Sequence, residues 1–193
     1  MATIGLDLPH YAKITMQDGV ENYGTPAVLA KAITANINIE APDSDLYADD
    51  GIDETVGGFV SGTLSLNVND LAPSVLADLL GVRVDENGVV VSSAEDISNE
   101  VAIAFRALKG NGKYRYFWLY RVKFSVPSTA LATKNNSITF QTPTIEGKIM
   151  RRNKVDDQDK HPWKAEVTEG DTGVSSTTIN GWFNAVYEPD FTA

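Results

Sequence analysis

The sequence predicts a mostly β fold with minor α: a β-sandwich or barrel-like domain with a short flanking helix and a long inter-strand loop. Three observations point there. Over 114–126, Tyr114, Tyr116, Trp118, Tyr120, Val122, Phe124 and Val126 recur at every second position, which is the period of a strand, and aromatic and branched side chains suit a pleated surface. Over 101–107, Val101, Ile103, Phe105 and Ala107 keep the same period. Between the two runs lies Gly110-Asn111-Gly112, and glycine takes the positive φ angles of a tight reversal, so the runs are expected to pair as a hairpin. This much aromatic area on one strand face requires a cover, either a second sheet or a helix.

The other elements follow in chain order. Tyr11 to Thr15 reads as a short strand ending in a polar turn at Asp18-Gly19. Ile33, Ala35, Ile37 and Ile39 alternate with Thr34, Asn36, Asn38 and Glu40, giving a strand with one polar face. The stretch 41–62 is long, acidic and broken by proline and glycine, which predicts a loop; loops of this length in compact domains bind something or are disordered. Its apolar residues, including Leu46, Tyr47, Ile52, Val56 and Phe59, argue against simple disorder. They mark instead an arm that docks on a neighbour.

Residues 63–68 form a strand with Leu64, Leu66 and Val68 on one face. A helix over 73–80 follows, with Asn69 or Asp70 as its cap, Pro73 in its first turn and Gly81 just past its end. Its apolar stripe is Val75, Leu76, Leu79 and Leu80. Residues 82–91 read as a small hairpin about Glu86-Asn87-Gly88. Beyond the central hairpin, a linker leads to a segment over 137–151, where Ile138 and Phe140 hold one phase and Ile145 and Ile149 the other. The slip falls at Pro143, which cannot donate to a ladder, so a bulge or edge is expected there. Residues 152–162 are charged and predict a loop tip, 163–168 a strand. The segment 174–187 places Ile179, Trp182, Phe183 and Val186 on the core as a helix or a strand; Gly181 disfavours the first, Thr177-Thr178 favour the second.

A chain of 193 residues is expected to form a single domain over 1–193, large enough to bury roughly 70% of its unfolded surface. It has no cysteine, which excludes disulfides and thiolate metal sites and fits a reducing compartment. No apolar run approaches the roughly 20 residues of a membrane span, and the first residues lack the pattern of an export signal. Net charge is −10, which argues against tightly held nucleic acid. The charge is also segregated. Residues 32–82 hold nine acids and no Lys or Arg, while 101–145 hold seven Lys or Arg and no acid. Both stretches fit ordinary solvated surface, or surfaces that meet within one fold. The other reading is an acidic surface on one copy that meets a basic surface on the next, a heterologous contact that repeats into a ring or filament.

Residues for catalysis are sparse. His10 and His161 are the only histidines, and both are expected in loops. No nucleophile-elbow pattern accompanies them. Asp43, Asp45, Asp49, Asp50, Asp53 and Glu54 do not match the spacing of a calcium loop. Arg115 and Arg121 fall in the opposite phase from Tyr114, Tyr116, Trp118 and Tyr120, which describes a packed core with a basic outer face more simply than a base-stacking platform. No catalytic, metal or cofactor site is expected.

Several strings, in order along nearly the whole chain, resemble the major tail protein, or tail tube protein, of long-tailed bacteriophages with non-contractile tails. They are Tyr47-Ala48-Asp49-Asp50-Gly51, Asp70-Leu71 with Val75-Leu76-Ala77-Asp78-Leu79-Leu80-Gly81, and Asp85-Glu86-Asn87-Gly88. Further along come Ala104-Phe105-Arg106-Ala107-Leu108-Lys109, Gly112-Lys113-Tyr114-Arg115-Tyr116 with Trp118, Phe140-Gln141-Thr142-Pro143-Thr144, and Gly181-Trp182-Phe183 with Tyr187-Glu188-Pro189. The resemblance implies a non-enzymatic virion protein without cofactors, assembled in the host cytoplasm. Six copies would form a ring, and rings would stack into a tube through which DNA passes. Its other partners would be the tape measure and tail terminator proteins, with no membrane anchor. The long loop of such proteins contacts neighbouring subunits, which maps here onto Leu46, Tyr47, Ala48, Asp49, Asp50, Ile52 and Phe59. The alternative class is a carbohydrate- or protein-binding β-sandwich module, such as an adhesin or receptor-binding domain.

Overall fold

The computed structural model describes residues 2–41, 44–48, 51–129, 131, 133 and 140–191, with backbone alone for 44–48 and 51–56. It is mostly β. A nine-stranded antiparallel sheet is built from β1 (Thr3–Gln17), β2 (Val20–Tyr23), β3 (Ala27–Val28), β4 (Ala32–Glu40), β7 (Ser61–Val68), β10 (Glu100–Lys109), β11 (Tyr114–Phe124), β12 (Thr144–Met150) and β13 (Lys164–Thr168). Its order is β2-β1-β10-β11-β12-β7-β4, with β13 on β11 and β3 on β1. Two hairpins stand apart from it: β5 (Ser44–Ala48) with β6 (Gly51–Val56), and β8 (Arg83–Val84) with β9 (Val90–Val91). The sheet curls until β1 and β4, distant in this order, lie side by side without pairing. Of the two expected architectures this is the barrel-like one, left open along one seam.

The central hairpin forms as the alternation predicts, turning at Gly112 with φ 78°. One feature of it differs. Tyr116, Trp118 and Tyr120 join one core, while Leu119, Val122 and Phe124 join the other. The reason is a bulge: Val101 pairs with Val122 but Ile103 pairs with Leu119, so three steps of β11 oppose two of β10. An extra residue flips the face of everything beyond it. It falls where β11 changes partner on its other edge, from β13 at Arg115 to Leu119 to β12 at Arg121 to Phe124. The aromatic run therefore serves both sides of the sheet. Arg121 is turned to the Tyr120 side, where it meets Glu100 at 2.8 Å, and not the face it was expected to share with Arg115.

Inside the curl, Leu64, Leu66, Val68, Ile103, Ile145, Ile149 and Phe124 pack with helix α1 (Pro73–Leu80). Val75, Leu79 and Leu80 of the helix are buried, and each such side chain contributes about 1.5–3 kcal/mol relative to exposure. Gly81 ends the helix in the left-handed region, φ 69°. The cap differs from expectation. Ala72 occupies the N-cap position with no side-chain bond, Asn69 Oδ1 accepts from the Lys31 amide, and Asp70 Oδ1 accepts from the Leu71 amide. Both polar residues stabilise the approach to the helix, and Pro73 removes one of the donors that a cap would satisfy.

On the other face, Ala102, Ala104, Tyr116, Trp118 and Tyr120 are covered by the C-terminal segment. That segment resolves to a short helix, α2 (Ser176–Gly181), capped by Ser175, whose side chain accepts from the Thr178 amide. Trp182 and Val186 follow it into the core. The Trp118 indole N–H donates to the Trp182 carbonyl at 3.0 Å, and the Tyr120 hydroxyl to the Tyr187 carbonyl at 2.8 Å.

Three further expectations change. The strand β12 starts at Thr144, directly after Pro143, and Phe140 is 85% exposed, outside any strand; Ile138 lies outside the described residues. His10 lies within β1, stacked on Phe183 at 4.6 Å, so it is not a loop residue. The charged stretch 152–162 holds no helix or strand, as expected of a loop, but its first residue is not at a tip: Arg152 is buried, 1% exposed.

Candidate assembly surface

The strands β4 and β7 form a ribbon in full register from Thr34 opposite Asn67 to Glu40 opposite Ser61. Alternation sends Ala35, Ile37, Leu64 and Leu66 into the core. The other face carries Thr34, Asn36, Asn38 and Glu40 on β4, with Ser61, Thr63, Ser65 and Asn67 on β7. The pairing continues this face onto β12 and β11. Asn67 opposes Thr144, Ser65 opposes Glu146, and Thr63 opposes Lys148, which in turn opposes Lys123. Four strands thus present a face of small polar side chains with two acids and two lysines, and with Arg121, paired to Glu100 of β10, at its edge. Neither Lys123 nor Lys148 has an ion-pair partner among the described residues. Asn67 stitches β12 to the ribbon, its Nδ2 donating to the Thr144 hydroxyl at 2.9 Å and the Pro143 carbonyl at 3.2 Å.

At Glu40 and Ser61 the ribbon gives way to the arm. The Ser61 hydroxyl donates to the Glu40 carboxylate at 2.5 Å, and the Val60 amide to the Glu40 carbonyl at 3.3 Å, closing the base. The expected loop is here a two-stranded hairpin, β5 with β6. The register shift between Leu46 and Tyr47 breaks the alternation by which strands are recognised in sequence. Of the residues expected to meet a neighbour, Leu46, Tyr47 and Ala48 lie on β5 and Ile52 on β6, with Tyr47 opposite Ile52. Asp49 and Asp50 lie outside the described residues. Phe59 stacks flat on Trp163 of its own chain, centroids 4.4 Å apart and planes within 2°; it anchors the foot of the arm.

Sequence reasoning missed a buried ionic cluster under the C-terminal segment. Glu21, 1% exposed, accepts from the amides of Asn153 and Lys154 at 2.7 and 3.0 Å. Arg152 donates to Glu188 at 2.7 Å and sits 4.8 Å over the Tyr120 ring. Lys154 reaches the other Glu188 oxygen at 3.0 Å. Burial opposes the charge of Arg152, and the pairing with Glu188 outweighs it, so the guanidinium holds its proton more tightly than usual. Burial also pushes the Tyr23 and Tyr120 hydroxyls well above the ordinary phenol range. The cluster joins residues far apart in the chain, and no local pattern announces it.

Among the described residues no group of three or more His, Cys, Asp or Glu could hold a metal, and no helix is long and apolar enough to cross a membrane. The fold and its surfaces define a β domain that presents a polar strand face, an open seam and a hairpin outside the main sheet. The phage tail tube protein family matches residues 13–177, most of the chain, and the chain belongs to that family. It is therefore a structural component of the phage tail tube, a virion tail protein. No curated protein matches the chain.

Proposed function

We propose that six copies form a ring, that rings stack into the tail tube, and that the polar face of β4, β7, β12 and β11 lines the bore through which DNA is delivered. The observation that carries this reading is the composition of that face. Thr34, Asn36, Asn38, Thr63, Ser65, Asn67 and Thr144 are small and neutral, and the formal charges of Glu40 and Glu146 offset those of Lys123 and Lys148. Duplex DNA carries a charge about every 1.7 Å of axis, so a strongly basic wall would hold it. A neutral or acidic wall lets it slide, because residual forces decay within a Debye length of about 8 Å at physiological salt. The hairpin β5–β6 and its foot serve as the arm that joins neighbours, through Leu46, Tyr47, Ala48, Asp49, Asp50, Ile52 and Phe59. The tape measure and tail terminator proteins are the other partners in this reading, and assembly takes place in the host cytoplasm. Sedimentation and negative-stain microscopy of concentrated protein test it. Rings or tubes with sixfold symmetry are expected; a strictly monomeric species over all salt and nucleation conditions would overturn it.

A further inference from the structure

We infer that the open seam between β1 and β4 is the socket for the hairpin arm of a second copy. This rests on the self-assembly reading above and names the contact it leaves open. The seam holds a cleft of about 540 Å³, with Leu6, Ile33, Ile37, Phe105, Ala107 and Phe117 among its walls. Two strand edges border it. Among the described residues β4 pairs only with β7, and β1 over residues 3–7 pairs only with β10, so there both edges carry backbone groups with no ladder partner. Ile33, at the rim, is 49% exposed. The walls are largely apolar, with Thr3, Thr34 and Asn36 along the two edges, and such a cleft accepts an extended segment, which gains main-chain hydrogen bonds and buries alternate side chains.

Three properties of the arm fit this socket. Among the described residues it is a two-stranded hairpin paired only with itself, and such a unit is marginal in water alone. It carries the apolar residues Leu46, Tyr47, Ile52 and Val56. Its acids, Asp45, Asp53 and Glu54, complement two lysines that flank the cleft: Lys31, two residues before Ile33, and Lys109, which pairs with Thr3. Neither lysine has an ion-pair partner among the described residues. Since an arm and a seam are different surfaces, the contact is heterologous and propagates.

The absence of native cysteine makes the test direct. Two single-cysteine proteins, Tyr47→Cys and Ile33→Cys, are mixed, polymerised and oxidised. Covalent heterodimers are expected, and the double variant should give a ladder of multimers. A pairing of Tyr47→Cys with Lys148→Cys on the polar face should give none. Tubes that form without a Tyr47–Ile33 link, a ladder through Lys148 instead, or a link closing within one monomer would each overturn the socket while leaving the tube reading intact. Failure of the unmodified protein to polymerise under any condition would strike the tube reading itself. Lys31→Glu with Lys109→Glu gives an independent readout. Polymerisation should weaken at least tenfold and recover when Asp45→Lys and Asp53→Lys are combined with it; no recovery from a folded quadruple variant would count against the contact.

Discussion

Gly147 lies directly opposite Phe124 across the β11–β12 ladder, and a Cβ there would stand 2.9 Å from the Phe124 ring and 2.6 Å from a Val122 methyl. The missing side chain is what lets the ring fill the barrel interior. Real Cβ atoms do not approach so closely, and both neighbours are fully or nearly fully buried. Gly147→Ala should destabilise the domain by about 1–3 kcal/mol, read as a fall in the denaturant midpoint at unchanged slope. Alanine tolerated at full stability would mean that this face packs more loosely than described.

The ionic cluster under the C-terminal segment makes a second, asymmetric prediction. Glu188→Ala strands the buried Arg152 guanidinium, and loss of one partner from such a pair costs about 3–5 kcal/mol when both are buried. Glu188 is partly exposed, so about 2 kcal/mol is expected. Arg152→Met with Glu188→Ala removes both charges and should recover part of that loss. Chemical denaturation of the two variants decides it; equal losses would leave no role for the stranded charge.

Asp78 receives the Tyr11 hydroxyl at 2.6 Å and Lys13 at 2.5 Å. Burial works against its charge, but the bonds from Lys13 and Tyr11 prevail and hold the carboxyl below its ordinary value. A depressed folded-state value contributes stability that is fully present above the unfolded pKa, near 4, and is lost as pH falls through the folded value. Thermal stability should therefore fall below about pH 4, and Asp78→Asn should flatten part of that slope. An unchanged acid slope in Asp78→Asn would contradict the assignment.

Deletion of 44–56 with a short glycine bridge should spare the fold and abolish polymerisation. The base of the arm is held independently, by Ser61 on Glu40 and by Phe59 on Trp163. Circular dichroism and sedimentation separate the two effects, and loss of folding would make the hairpin part of the core. In the intact protein, amide exchange over 44–56 should slow on assembly; equal protection in monomer and polymer would contradict docking.

What the sequence made legible depended on whether the cause was local. The helix Pro73–Leu80 was readable from its own proline, stripe and terminal glycine, and the central hairpin from its period and turn. The bulge near Tyr120 was not, because it arises where β11 exchanges β13 for β12 along one edge, a fact of distant pairing. The arm could be singled out because apolar residues recur in an acidic stretch, yet the slip at Leu46–Tyr47 hid its strands. Phe59 has the composition of an interface residue, and only the fold brings Trp163 beneath it. The Glu21–Arg152–Glu188 cluster joins three separate segments and left no pattern in any of them.

A helical reconstruction of the polymer at side-chain resolution tests most directly the claim that this chain is a tube subunit with a neutral strand face turned inward. Thr34, Asn36, Asn38, Thr63, Ser65 and Asn67 should line the bore of a stacked sixfold ring. A bore lined mainly by Lys and Arg, or those residues on the outer surface, would contradict the account.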